Sequence, residues 1–582
     1  MKTSLKTALL ATAALAVTST AVYAQAPARA YKPVTTDMLL KPSAEEWLSW
    51  RGTLDNQGYS PLNQINKNNV KDLELAWAYP MPDTGEQESA PLVHDGLMFF
   101  STNNAIVNAL DAKTGDLVWE YKHPFTELPQ SWAYQRNQAR RQKNGVSLYG
   151  DKIVLTTFDA KIVVLEAATG KVVWQKQVYD PSKGYSYTIG ALVVNDTIYS
   201  AISGCSITGT AGGCYITAHD VNKGEELWRF NTIDDPSNPA QQASWGGVPA
   251  ENRWGGTPWA TGSYDARTNT LFWGVGMPGP YPEVIRGSGA GDTLYTNSTL
   301  AFDAKTGKLK WYYQHLPRDN WDLDSPFERV LVDDVQGNTT RHMLVTTAGK
   351  NGITFGLDRD TGKYLWSKET IYQNAVKSID SNGKVTMNQD VIPKAVNQEV
   401  LICTTTNGGK LWTTGSYSPL NKMFFVPENE ACQTQSPAVQ EFTPGNAIGS
   451  IKSGPKVNPR GIDKPGVIFA LNVADGAIKW KYEDRPVQTA SVLATGGGIL
   501  FAGDANRYVL ALDQDNGKVL WKQRLNAPIG GFPMTYSIEG TQYLVVPTGY
   551  SATASASAGQ TPDIKLPTGA GNSLFVYRLR GK

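Results

Sequence analysis

The chain has 582 residues, with 54 lysines and arginines against 53 aspartates and glutamates. That balance, with no long basic run, argues against nucleic acid as a partner. Seventeen tryptophans beside 55 glycines point to repeated β-structure, and past the N-terminus no stretch reaches 18 uncharged apolar residues, so the mature protein is not expected to span a membrane.

In chain order, the first feature is a leader. Lys2 and Lys6 form a basic start, residues 8–17 are apolar except for Thr12, and Val22-Tyr23-Ala24 ends in small residues at the right offsets. This pattern predicts a signal peptide over 1–24, cleavage after Ala24 and export to the periplasm. Residues 25–582 are then expected to form a single domain.

One phrase recurs through that domain. It reads ALDAKTGDLVW at 109–119, VLEAATGKVVW at 164–174, AHDVNKGEELW at 218–228 and AFDAKTGKLKW at 301–311. It returns as GLDRDTGKYLW at 356–366, ALNVADGAIKW at 470–480 and ALDQDNGKVLW at 511–521. The Asp-x-x-x-Gly core reads as a hairpin turn in which Asp caps and Gly takes positive φ. The closing Trp is a flat side chain at a fixed offset, suited to wedge between neighbouring sheets.

The Trp-to-Trp spacings are 55, 54, 83, 55, 114 and 41 residues. The 83 predicts an insertion. The 114 predicts two repeats, one of which has lost its phrase, with 411–432 supplying two of its strands. The fold expected is an all-β, eight-bladed β-propeller with tryptophan-docking repeats. The strand around Trp77 would close the ring with the last blade and remove free sheet edges. Residues 234–258, 434–465 and 551–573 read as long loops, which on a rigid scaffold often cover a site.

Four cysteines, Cys205, Cys214, Cys403 and Cys432, predict two disulfides in an exported protein. Proximity in sequence favours Cys205–Cys214 with Cys403–Cys432 over the two other connectivities. No CxxCH haem-attachment motif occurs, so electrons released here must leave to a separate carrier. Five histidines show no metal spacing, and His219 and His315 fall within or just after phrases, where packing suits them. No Walker loop, GxSxG or GxGxxG after a strand is present.

HLPRDNWDLDSPFERV, at 315–330, places Asp319, Asp322 and Asp324 around Trp321. On an extended stretch Asp322 and Asp324 would share a face and could meet one hard cation. A carboxylate there could also take a proton from a substrate hydroxyl. The same spacing could equally make a solvated acidic turn.

The tryptophan-docked phrase, the blade count and the WD segment resemble the pyrroloquinoline quinone (PQQ)-dependent alcohol dehydrogenases, over about residues 36 to 580. LPRDNWD and GCSITGTAGGCYITAHD look most like the sorbose/sorbosone dehydrogenase branch, which carries no haem domain. Bacterial trichothecene (deoxynivalenol) dehydrogenases belong to the same neighbourhood. The resemblance implies a CH–OH oxidoreductase using PQQ and one metal ion. Its partners would be a small alcohol and a separate electron acceptor, a soluble cytochrome c or a quinone.

Carried over position by position, Asp322 matches the family's catalytic aspartate and Lys350 the cation that bonds the quinone oxygens. Trp259 matches the tryptophan floor under the ring, and Thr257 a position near a cofactor carboxylate. Glu88 matches an acidic position at the cofactor's rim. Thr188 and Ser203 match hydroxyl contacts to the cofactor carboxylates, and Thr413 a contact near the quinone.

Three departures stand out. Gln138-Ala139 occupies the place where the family often has a vicinal disulfide, so the ceiling over the ring differs. It could come from the Cys205–Cys214 loop or from the stretch 132–143. Thr208 and Gly209 stand where a metal-binding Glu is usual. Met277 stands where a metal-binding Asn is usual. Asp324, two residues after Asp322, has the spacing of the extra aspartate in lanthanide-using members. The metal ligands expected are Asp322 and Asp324, with calcium ahead of a lanthanide.

A non-catalytic propeller scaffolding outer-membrane protein assembly is the competing reading. Trp259, Asp322 and Lys350 together argue against it, and the missing dinucleotide fingerprint argues against a flavin or nicotinamide enzyme.

Overall fold

The structure, a computed structural model, describes residues 30–83, 86, 88–125, 145–203, 205, 211–440, 449–567 and 571–581. The expected leader, the stretch 132–143 with Gln138-Ala139, and Thr208 and Gly209 lie outside the described residues. No described helix is long and apolar enough to cross a membrane.

The described residues form eight antiparallel sheets of four main strands each, following one another along the chain. The first runs Leu92–His94, Leu97–Ser101, Ile106–Asp111 and Leu117–Lys122. Six more repeat this order, and one of them gains a short fifth strand, Tyr59–Ser60, paired parallel to Leu493–Thr495. The eighth joins the two ends of the chain: Met534–Ile538, Thr541–Thr548 and Ser573–Leu579 are completed by Leu73–Pro80, which carries Trp77.

The phrase builds the third and fourth strands of each of the first seven sheets. Its first half is an inner strand buried on both faces, as in Lys161–Glu166, and so reads as a continuous apolar run. Its second half is an outer strand with exposed positions, as in Val172–Gln177. In the turn between them, Asp111 Oδ1 accepts the backbone N–H groups of Lys113 and Thr114 at 2.9 and 3.1 Å. Gly115 takes φ +81° and donates to the Asp111 carbonyl at 2.8 Å. A register shift of one residue between Ala109 and Leu110 accompanies the turn and recurs in the other phrases.

Each phrase tryptophan except the last docks on the turn of the next sheet. Trp119 donates Nε1–H to the Ala167 carbonyl at 3.0 Å and lies flat against Gly170, where an added Cβ would come within 2.5 Å of the indole. The relation repeats from Trp77 on Gly115 through Trp174 on Gly224, Trp228 on Gly307, Trp311 on Gly362 and Trp366 on Gly476 to Trp480 on Gly517. Trp521 meets Tyr577 of the eighth sheet, and Tyr536 of that sheet donates to the Ala112 carbonyl of the first. The docking contacts therefore return to their start.

One expectation is corrected. The 114-residue spacing holds one sheet, not two. Ser416–Ser418 and Met423–Asn429 pair with Gly466–Asn472 and Ile478–Asp484, so 411–432 belongs to the sheet that already carries the phrase ending at Trp480. The remaining length is inserted structure. It comprises the hairpin Val376–Ile379 with Val385–Met387, and a three-stranded sheet of Val400–Cys403, Cys432–Pro437 and Ile451–Ser453. The sheet without a phrase is the closing one, because its strands come from both ends of the chain. The loops at 234–258 and 551–573 also carry short helices, Pro239–Ala243 and Ala552–Ala556.

Both disulfides form as expected, Cys205 with Cys214 and Cys403 with Cys432. His219 and His315 are fully buried and bond the hydroxyls of Thr217 and Thr299.

The docking contact is testable. Gly170→Ala forces a Cβ into both positive φ and the Trp119 ring, and is expected to cost about 2–5 kcal/mol, combining left-handed strain of about 1–2 with overpacking of about 1–3. In a Trp119→Ala background the same substitution should cost only the backbone part. A double-mutant cycle on thermal or denaturant unfolding reads this coupling, and strict additivity would refute direct docking.

Candidate active site

All sequence-selected positions emerge at one end of the sheets. In each antiparallel meander, the link entering the first strand and the link between second and third strands share an end, opposite the phrase turns. Glu88, Thr188, Trp259, Asp322 and Thr413 precede first strands, and Ser203, Met277 and Lys350 lie between second and third strands.

The aspartate segment is shaped by what it buries. Trp321 is fully buried and donates Nε1–H to the Val391 carbonyl at 2.9 Å. Asp319 is turned inward, accepting from the Trp321 and Leu323 backbone N–H groups at 2.8 and 2.7 Å and from Asn297 Nδ2 at 3.0 Å. It shapes the loop and does not join the neighbouring carboxylates. Held on both sides, Asp322 takes φ +67°, a left-handed conformation costly for most residues and tolerated by Asp. Asp322 and Asp324 thus meet through a turn, and not through the extended stretch expected from sequence.

They meet at Lys350. Its Nζ donates to Asp322 Oδ1 at 3.0 Å, to the Asp322 carbonyl at 3.1 Å and to Asp324 Oδ2 at 2.9 Å. Asp324 is fixed further by the Met277 backbone N–H on Oδ1 at 2.9 Å and by Trp259 Nε1–H on Oδ2 at 3.2 Å. A Cβ on Gly276 would lie 2.3 Å from Asp324 Oδ1, so only glycine leaves room for this carboxylate. The Lys350 backbone is clamped by the Thr404 hydroxyl on its carbonyl and by Gly409, where a Cβ would collide with the same oxygen.

The three charged side chains differ in access. Those of Asp324 and Lys350 keep 5 % of their exposure, whereas Asp322 keeps 18 % and is the carboxylate open to a ligand. Burial pushes Asp322 well above the usual carboxylate range; Lys350 opposes this, while Asp324 and Asp319 add to it. Burial alone would lower Lys350, but Asp322 and Asp324 overcome it and hold the ammonium above the ordinary lysine value.

Trp259 belongs to an aromatic patch with Trp50, Trp412 and Phe532, and meets Phe327 edge to face at 5.3 Å. The same patch contains Ala90 and Trp412, neighbours of Glu88 and Thr413, both of which are buried. Thr188 and Ser203 form a separate buried pair, hydroxyl to hydroxyl at 2.8 Å. Thr257 is buried, its hydroxyl 3.6 Å from the Cys214 sulfur. The sequence reading missed Gly276 and the partners Trp50, Trp412 and Phe532. Trp412, directly before Thr413, was the one visible signal among these.

The family profile described as "PQQ: Glucose/ethanol/alcohol dehydrogenase, beta-propeller domain" matches residues 47–388 and 480–544. A quinoprotein ethanol dehydrogenase of Pseudomonas aeruginosa is 30% identical over 90% of this chain and 89% of its own length. A quinohemoprotein alcohol dehydrogenase of Comamonas testosteroni is 30% identical over 90% of this chain and 75% of its own. Among solved structures, a europium-containing methanol dehydrogenase superposes with a TM-score of 0.83 at 26% identity, covering 93% of this chain and all of that one. The fold and the charged centre define a β-propeller oxidoreductase and disfavour the scaffold reading. The chain belongs to the family of PQQ-dependent alcohol dehydrogenases.

Membership implies PQQ and a metal ion, and the residues can be tested against both. A planar quinone suits an indole floor at Trp259 beside a fixed cation at Lys350. For the metal, Asp322 and Asp324 already converge within 3.0 Å on one cationic centre, the Lys350 ammonium, and both offer hard oxygens. The set is lean: among the described residues no group of three or more His, Cys, Asp or Glu side chains comes together. Met277 contributes its backbone N–H to Asp324, and its thioether is a soft donor ill-suited to such an ion.

Gly276→Ala should displace Asp324 without backbone strain. Metal-dependent dye reduction by the PQQ-loaded protein is expected to fall about 10- to 100-fold, the usual cost of disturbing a ligand's support. Activity equal to wild type would show that the Asp324 carboxylate is not needed where it stands.

Proposed function

We propose that the chain is a periplasmic PQQ-dependent dehydrogenase that oxidises secondary hydroxyls of a sugar or bulky ring alcohol to carbonyls. The observation that carries this reading is the convergence of Asp322, Asp324, Lys350 and Trp259 at one end of the sheets, with Asp322 the most accessible carboxylate. The leader over 1–24 and the two disulfides support export. The eight sheets are taken as the blades of one ring, and residues 25–582 as one domain.

In this reading Asp322, the more accessible of the two carboxylates, accepts the proton of the substrate hydroxyl. When bound, PQQ would supply the two-electron acceptor and a metal ion would supply Lewis-acid assistance. Lys350 holds the quinone oxygens, Trp259 carries the ring, and Glu88, Thr188, Ser203, Thr257 and Thr413 line it. Asp322 and Asp324 hold the metal. Calcium is preferred to a lanthanide, since a trivalent ion calls for more anionic ligands than these two supply. Electrons then pass to a separate cytochrome c or quinone.

Reconstitution tests the whole reading. Apoprotein given PQQ with calcium or with a lanthanide should reduce an artificial acceptor in the presence of secondary alcohols, calcium serving better; no cofactor binding and no reduction with any metal would sink it. Asp322→Asn should retain PQQ while turnover falls about 10²- to 10⁴-fold, the range for a lost general base. A fully active variant would remove Asp322 from that role.

A further inference from the structure

Lys456 lies in the long link between the second and third strands of the sixth sheet, just after the short strand Ile451–Ser453, outside every role assigned above. Its place beside the active centre is fixed by covalent and hydrogen-bonded links. Val457 and Cys432 exchange backbone hydrogen bonds at 2.8 Å in both directions. Cys432 is bonded to Cys403, and the next residue, Thr404, donates its hydroxyl to the Lys350 carbonyl. The Lys456 ammonium reaches back to this loop, donating to the Asn407 carbonyl at 3.2 Å. Gly409 of the same loop packs on the Lys350 carbonyl.

From its other side Lys456 bonds the C-terminal excursion, donating to Ser557 Oγ at 3.4 Å. That excursion begins at the helix Ala552–Ala556, whose Ala552 N–H is held by Glu86 Oε1 at 3.1 Å, two residues from Glu88. It is tied again where Gln560 donates to the Glu430 carbonyl at 2.9 Å and to Asn458 Oδ1 at 2.8 Å. Lys456 thus sits on the seam between the loop that clamps Lys350 and the segment anchored beside Glu88.

Its partners are unusual for a partly buried cation beside the active centre. Lys350 and Lys410, both buried, each hold a carboxylate within 3.0 Å. Lys456 has two neutral acceptors at long distance, and among the described residues no carboxylate pairs with it. A charge withdrawn from water without a counter-ion is costly unless a ligand supplies one. We infer that Lys456 is a carboxylate-binding residue of the active site, its anion carried either by the cofactor or by the alcohol substrate. The inference rests on the PQQ reading above and adds to it a residue outside the carried-over set. Burial and the neighbouring Lys350 push the amine down to about 7, as expected of a cation whose anionic partner is a ligand.

Two variants of the full-length protein, Lys456→Gln and Lys456→Arg, test this, with PQQ affinity read from quenching of tryptophan fluorescence in the apoprotein. A second readout is the ratio of kcat/KM for a 2-hydroxycarboxylic acid to that for its methyl ester. If the cofactor supplies the anion, Lys456→Gln weakens PQQ binding about tenfold or more, the usual effect of losing a charge-assisted hydrogen bond, and Lys456→Arg recovers most of it. If the substrate supplies it, PQQ affinity holds while the acid-to-ester ratio falls about tenfold, again recovered by Arg. Both readouts within twofold of wild type, or a loss that Arg does not recover, overturn the assignment. Wild-type protein titrated in parallel separates the two ideas, because failure of the wild type to bind PQQ overturns the cofactor reading itself.

Discussion

The contact on which this structure depends is a tryptophan lying on a glycine. Each outer strand but the last carries an indole that covers the turn of the following sheet, and that turn can be covered only because its glycine has no Cβ and accepts positive φ. Each docking buries a large apolar surface, and at Trp119, Trp174, Trp228, Trp366 and Trp480 the indole N–H is also satisfied on a carbonyl of the next sheet. The contact runs in one direction around the molecule, so each sheet is positioned by its predecessor. The closing sheet, built from both chain ends, needs no phrase because Trp521 meets Tyr577 and Tyr536 reaches Ala112.

That arrangement divides the molecule into two ends with different duties. The phrase turns, fixed by docking, occupy one end and are repetitive. The links at the other end carry no docking duty, and they have diverged into the aspartate segment, the Lys350 turn and the long insertions. This accounts for chemistry concentrated there, on loops held by a rigid frame.

The charged centre is strained and buried by local means. Asp319 is spent on shaping its loop, Trp321 on anchoring it, and the result is a left-handed Asp322 facing Lys350. Asp324 owes its position to an absent side chain at Gly276 and to the Met277 backbone. At Met277 it is the main chain that contributes, its N–H bonding Asp324 Oδ1. The two carboxylates are therefore pre-arranged around a cation by hydrogen bonds to the protein itself.

The sequence by itself determined the repeating hairpin, the docking tryptophan, the two disulfides and the short list Trp259, Asp322, Asp324 and Lys350. The repeats are local or periodic features, set by turn chemistry and side-chain type at fixed offsets, whereas Trp259 and Lys350 are singled out by the family resemblance alone. It misassigned the 114-residue gap, because an insertion with strands of its own and a second repeat have the same length and composition. Only the tertiary structure decided that Asp319 turns inward while Asp322 and Asp324 share Lys350, since that choice depends on burying Trp321 and on the space beside Gly276. Lys456 was equally invisible in the chain: its significance comes from a disulfide and a loop that bring residues about a hundred positions apart to the same few ångströms.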